Sequence, residues 1–170
     1  VYANNEKIGN SLNVTVTSIL LSKESSKVLC SVTTAEAGKS ISCSIRAIDA
    51  ITNLPIVDKA YSQALKAIAK SSSGSVKHAT IQYGNNEYVL NFNMEKVGSV
   101  SLSVFFRTSK GYELLSTVSQ IQITSAPISP ITSTLTCLTP RNVLKPINCY
   151  INAKDRFNNP AGEGTSDSGA

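Results

Sequence analysis

A cysteine-bearing stretch occurs twice in this chain, and no other feature restricts its fold as much. Val28-Leu29-Cys30, Cys43-Ser44-Ile45-Arg46-Ala47-Ile48-Asp49 and Asn53-Leu54-Pro55 are answered by Leu135-Thr136-Cys137, Cys149-Tyr150-Ile151-Asn152-Ala153-Lys154-Asp155 and Asn159-Pro160. The offset is 107 residues from Cys30 to Cys137, and 106 from Cys43 to Cys149, from Asp49 to Asp155 and from Asn53 to Asn159. That period is the length of a compact domain rather than of a helical or propeller unit, so the chain reads as part of a tandem array of sandwich-sized modules. A gapless shift of 107 also lays Val14 on Ile121, Val16 on Ile123, Ser22 on Ser129 and Ser26 on Ser133. On this reading residues 1–23 are the last strand of a preceding repeat plus linker. Residues 24–130 are a complete repeat plus linker, and 131–170 are the first strands of a following, truncated repeat.

Period-two alternation dominates the chain, which predicts an all-β fold of short strands. Leu12, Val14 and Val16 alternate with polar residues, as do Ile41, Cys43, Ile45 and Ala47, then Tyr88, Leu90 and Phe92, and then Val100, Leu102, Val104 and Phe106. Val28 to Val32 and Ser40 to Ile48 read as two strands joined around Glu36-Ala37-Gly38-Lys39, and Val76 to Tyr83 as one more. Gly84-Asn85-Asn86 and Ser109-Lys110-Gly111 carry turn chemistry. Asp49 and Asn53 bracket a turn ending at Pro55, because their side chains can bond their own backbone. Asp58 to Lys70 is rich in Ala, Leu and Lys, which favours helix, while its alternation permits a strand. Ala126 to Thr132 carries Pro127 and Pro130 and reads as a stiff, extended linker.

The first cysteine strand, the second strand ending in Ala47-Ile48-Asp49 before Asn53-Leu54-Pro55, the run Asn86 to Phe92, Gly98 and Ser101-Leu102-Ser103-Val104 together resemble the filamin-type immunoglobulin-like repeat. The resemblance covers about Ser25 to Thr124 and restarts at Ser133. It implies immunoglobulin-like β-sandwich modules in tandem, and a strand near Ala60 to Ala69. Paired cysteines in the first two strands depart from cytoskeletal filamins, and no actin-binding region is present, so actin crosslinking is not carried over.

Cys30 with Cys43 and Cys137 with Cys149 is the simplest of the three connectivities open to four cysteines, since each pair sits on neighbouring antiparallel strands. Buried reduced thiols are the alternative. A zinc site lacks a Cys-x-x-Cys or an adjacent histidine. Disulfides belong to oxidising compartments, and Asn13-Val14-Thr15 is a glycosylation acceptor sequence, so an extracellular or cell-surface location is expected.

Lys and Arg number 16 against 11 Asp and Glu, but the cations are scattered singly, which argues against nucleic-acid binding. No apolar run reaches the roughly 20 residues of a membrane span, so this segment is expected to make no membrane contact. His78 is the only histidine and no spacing ties it to a nucleophile, so no catalysis and no cofactor are expected. Asp49 and Asp155 are strand-end carboxylates that suit turn formation, with calcium between modules as the lesser reading.

Three readings of function remain, the third being a noncatalytic appendage of an enzyme. The first is a structural or adhesive extracellular protein of stapled rod segments, with other proteins or copies of itself as partners. The second is a binding module of the filamin kind. There the resemblance implies that a partner peptide adds as a strand along the edge carrying Ala64, Lys66, Ile68 and Lys70, beside Val76 to Tyr83.

Overall fold

The computed structural model describes residues 2–3, 6–7, 19–138 and 146–162. The strand expected over Leu12 to Thr17 and the acceptor Asn13 lie outside the described residues. The strands, in chain order, are β1 (Tyr2–Ala3), β2 (Glu6–Lys7), β3 (Lys27–Cys30), β4 (Thr34–Glu36), β5 (Ser40–Arg46), β6 (Leu65–Ser71) and β7 (Val76–His78). They continue with β8 (Thr80–Gly84), β9 (Glu87–Asn93), β10 (Gly98–Thr108), β11 (Gly111–Thr124), β12 (Thr134–Cys137) and β13 (Cys149–Asn152).

Two sheets face each other, one ordered β3-β5-β9-β8 and the other β4-β11-β10-β6-β7. The alternating apolar residues point into the space between them. Ile41, Cys43 and Ile45 of β5, Leu90 of β9, and Val100, Leu102 and Val104 of β10 are all 2% exposed or less. Such burial stabilises by roughly 1.5–3 kcal/mol per large side chain, and the polar residues between them remain on the outer faces. The chain is all-β in a sandwich, as the alternation predicts.

Two stretches divide in a way that alternation does not reveal. The chain from Lys27 to Glu36 pairs first with β5, then leaves that sheet so that β4 runs parallel to β11, with Gln122 opposite Thr34 and Thr124 opposite Glu36. Val76 to Tyr83, expected as one strand, is two: β7 pairs with β6 and β8 with β9, in opposite sheets. The crossing falls at Ala79, whose amide donates to the Ala67 carbonyl at 3.0 Å and whose small side chain packs on the core. Asp58 to Lys70 also contains both of its competing tendencies. A 3₁₀ helix spans Lys59–Ala64, capped by the Asp58 carboxylate on the Ala60 amide at 2.8 Å, and β6 begins at Leu65.

Turn residues sit where the backbone needs them. Asn85 and Asn86 join β8 to β9 with φ of 52° and 61°, a region few other side chains tolerate. Tyr88 is the largest fully buried side chain, and its hydroxyl donates to the Asp58 carbonyl at 2.8 Å. Burial pushes its pKa up to about 12.

Cys30 is bonded to Cys43 and Cys137 to Cys149, each pair directly opposite on its two strands. The first bond fastens β3, the edge strand of its sheet among the described residues, to β5 in the sheet interior. Replacing Cys30 and Cys43 by alanine is expected to lower stability by about 3 kcal/mol on the chain-entropy view, read from denaturant unfolding with and without reductant. Tyr88→Phe is expected to cost about 1 kcal/mol for the lost hydrogen bond. Since the folded pKa is raised, the tyrosine's contribution is intact below pH 10 and is lost as pH rises towards 12. An alkaline melting series on the Tyr88→Phe chain should lack that part of the loss.

Candidate interaction site

Where the sandwich meets the C-terminal segment, a short aspartate turn carries most of the contacts. Asp155, after β13, is 0% exposed. Its Oδ1 accepts from the amides of Phe157 and Asn159, both at 2.9 Å, and its Oδ2 from the Ala126 amide at 3.0 Å and Asn159 Nδ2 at 2.8 Å. Burial alone would raise the Asp155 pKa. The bonds from the Asn159 side chain and backbone, Ala126 and Phe157 outweigh it and hold the carboxyl below its ordinary range.

Three further contacts fix this turn to the sandwich. Asn159 Nδ2 donates to the Glu95 carbonyl at 2.7 Å, in the loop between β9 and β10. Lys96 Nζ, from the same loop, donates to the Phe157 carbonyl at 2.9 Å. The Phe157 ring lies against Gly38 in the β4–β5 turn, where a Cβ would fall inside it, with the Arg156 guanidinium 4.7 Å from the ring centroid. Gly38 also has a φ of 81°, so the turn needs glycine for its backbone as well as for this contact.

The same hydrogen bonds occur at the other end of the sandwich. The Ser22 amide donates to the Ile48 carbonyl at 2.8 Å and the Ser129 amide to the Lys154 carbonyl at 2.7 Å. The Ile48 amide donates to Ser26 Oγ and the Lys154 amide to Ser133 Oγ, each at 2.9 Å. Leu21 bridges Asp49 as Ile128 bridges Asp155. Asp49 Oδ1 accepts from the amides of Ile51 and Thr52 at 2.9 and 2.8 Å, and the Leu20 amide reaches Oδ2 at 3.1 Å. The Thr52 amide leads the contacts that lower the Asp49 pKa.

The geometry corrects one detail of the sequence alignment. Asn53 and Asn158 share positive φ, 56° and 66°, and both donate their amide to the turn aspartate's carbonyl. The Asp49 amide donates to Leu54 O and the Asp155 amide to Asn159 O. Asn159 therefore corresponds to Leu54, not to Asn53, because the second turn is one residue shorter. The linkers differ from expectation as well. Instead of running extended, the chain turns at residues 130–132, where the Ser133 amide donates to the Ser129 carbonyl at 3.0 Å, as Ser26 does to Ser22 at 3.1 Å. Pro130 presets the φ such a turn requires.

The residues expected to form a partner-binding edge are placed otherwise. Ala64 ends the 3₁₀ helix, Ile68 and Lys70 lie where β6 is paired on both sides, to β10 and to β7, and Lys66 lies where β6 is paired to β10 alone. Among the described residues the edge on that side of the sheet is β7, three residues long, a short template for an added strand. Sequence periodicity finds strands but not their neighbours, so it could not separate β6 from an edge. His78 lies on β7 beside a shallow depression with Ser40 and Asn91. Among the described residues, no group of three or more His, Cys, Asp or Glu side chains could hold a metal ion. N–H donors surround both turn carboxylates. The sequence did not identify Phe157, Gly38 and the 95–97 loop as partners of the Asp155 turn. The recurring aspartate was the available signal, but its contacts lie far away along the chain.

No family model matches this chain, and no curated protein matches its sequence. Its structure is similar to that of FdeC, an adhesin of Escherichia coli, with a TM-score of 0.55 and 22% identity over 82% of this chain and 43% of that one. The chain thus spans less than half the length of that structure, and at this identity the likeness shows the fold: an immunoglobulin-like β-sandwich of the kind found in an adhesin.

Proposed function

We propose that this chain is a segment of an extracellular adhesive or structural protein in which immunoglobulin-like modules follow one another head to tail. The carrying observation is the Asp155 turn, which repeats the internal bonds of the Asp49 turn and rests on the far pole of the sandwich through Asn159, Phe157 and Gly38. A flexible tether would not need a buried carboxylate with four N–H donors. A junction that transmits force and keeps a set angle between modules would. Two disulfides at equivalent places support an oxidising location, and the strand pattern of the filamin-type repeat fits the same architecture. The likeness to an adhesin supports the adhesive reading, with other proteins or copies of the chain as partners.

The junction can be tested directly. Asn159→Ala removes the amide that bonds both Glu95 and Asp155. It should speed hydrogen exchange at the Ala126 and Phe157 amides severalfold while leaving the sandwich core protected. Asp155→Ala, which strands four donors, should destabilise the junction by roughly 2–4 kcal/mol. Because the folded pKa of Asp155 is depressed, its contribution is present above the unfolded value near 3.8 and is lost as pH falls through the lower folded value. Protection of these amides, taken relative to their intrinsic exchange rate at each pH, should therefore fall on acidification below that point. If residues 146–162 tumble independently of the sandwich in the unsubstituted chain at neutral pH, the proposal is wrong.

A further inference from the structure

The two poles of the sandwich differ in a way that identifies what the N-terminal one takes. At the C-terminal pole, the Asp155 turn is seated: Asp155 is 0% and Asn159 3% exposed. At the N-terminal pole, the turn from Asp49 to Pro55 has the same backbone bonds but projects into solvent. Ile51 and Leu54 are each 63% exposed, and they occupy the positions of Phe157 and Asn159. Around them Val57 is 57%, Leu20 53% and Ile19 44% exposed, lining two adjoining depressions that share Ile19. A cluster of large apolar residues around one exposed turn is unusual for a free surface and marks an interaction site.

We infer that the Asp49–Pro55 turn is a docking element whose occupant is the C-terminal pole of another module like this one. Ile51 would lie against the glycine of its β4–β5 turn, and Leu54 against its β9–β10 loop. This rests on the head-to-tail reading above. It is argued from the seated turn in the same chain, where the residue two positions after the aspartate packs on Gly38 and the residue preceding the proline contacts Glu95. The replacement of Asn159 by Leu54 at the equivalent position makes the N-terminal junction the more apolar of the two, and its occupant should present fewer unpaired carbonyls there than Glu95 does. Heterologous contacts of this kind, with knob and socket on opposite poles, propagate without closing and suit an extended array.

The test is the full chain carrying a second copy of residues 25–131 joined ahead of Ser25, compared with the chain itself by hydroxyl-radical footprinting. In the unmodified chain the peptide bearing Ile51 and Leu54 should react readily. In the duplicated chain the downstream copy of that peptide, told apart from the upstream copy by segmental isotope labelling, should react severalfold less than the upstream one. Leu54→Asn in the downstream copy, which restores the amide for Glu95, should lower the reactivity of its Ile51 further, and Ile51→Asp should return its Leu54 to the upstream level. The exposed positions of both substitutions leave the core untouched, and retention of the Cys30–Cys43 bond serves as the folding control. Equal reactivity of the two copies of the peptide in the duplicated chain, unchanged by Ile51→Asp, would overturn the inference, as would full protection in the unmodified chain, where residues 1–18 would be the cover. Phe157 reports separately on the reading beneath: if Phe157 stays protected while Leu54 stays reactive, only the N-terminal docking fails, and if both are reactive the head-to-tail reading fails with it.

Discussion

A sheet with one apolar face must cover that face, and most of this structure follows from how the requirement is met in one place and left open in another. Between β3 and β11 it is met within the chain, because the inward faces of β5 and β9 close on those of β6 and β10 and exclude water. The hairpin of β12 and β13 repeats β3 and β5 in register and disulfide, yet Leu135 is 66% and Ile151 73% exposed, where the equivalent Val28 and Ile45 are 9% and 0%. Apolar burial therefore does not hold the hairpin in its place. A crosslink, eight strand residues and the Asp155 turn do.

That makes the buried carboxylate the decisive polar contact in the molecule. Taking an ionised group out of water costs several kcal/mol unless its lone pairs are met, and here four N–H groups meet them from two parts of the chain: the Ala126 amide, and the turn itself through the Phe157 and Asn159 amides and the Asn159 side chain that also reaches Glu95. The carboxylate at Asp49 is organised in the same manner but stays partly accessible. One local motif thus serves in two settings. The turn forms from short-range bonds alone, and whether it is seated depends on what lies across from it.

Much of the fold was legible in the sequence, for reasons that are local. Alternation at Ile41, Cys43 and Ile45 and at Val100, Leu102 and Val104 predicts an inward face, because a strand's side chains have a period of two whatever its neighbours are. Asp49 and Asn53, Asn85 and Asn86, and Gly111 announce turns because side-chain bonding and tolerance of positive φ are properties of single residues. The repeated cysteines suggested their own pairing because equivalent places on adjacent strands lie opposite each other. The alignment of Asn53 with Asn159 went astray for the complementary reason: identity alone was matched, while positive φ, visible only in the folded backbone, assigns Asn53 to Asn158.

The sequence by itself therefore determined which segments are strands, which face of each is apolar, and where the chain turns. Tertiary structure decided everything that requires knowing a strand's neighbour. It split Val76 to Tyr83 between two sheets at Ala79, sent β4 to run parallel with β11, and enclosed the part of β6 that carries Ile68 and Lys70 between β10 and β7, while Lys66 pairs with β10 alone. It also brought Asn159 to Glu95 and Phe157 to Gly38, across separations of 64 and 119 residues (159 minus 95 and 157 minus 38). Backbone hydrogen bonding between strands is the same for every side chain, so it leaves no residue pattern that names the partner. Only the packing of the two apolar faces, summed over the whole sandwich, selects it.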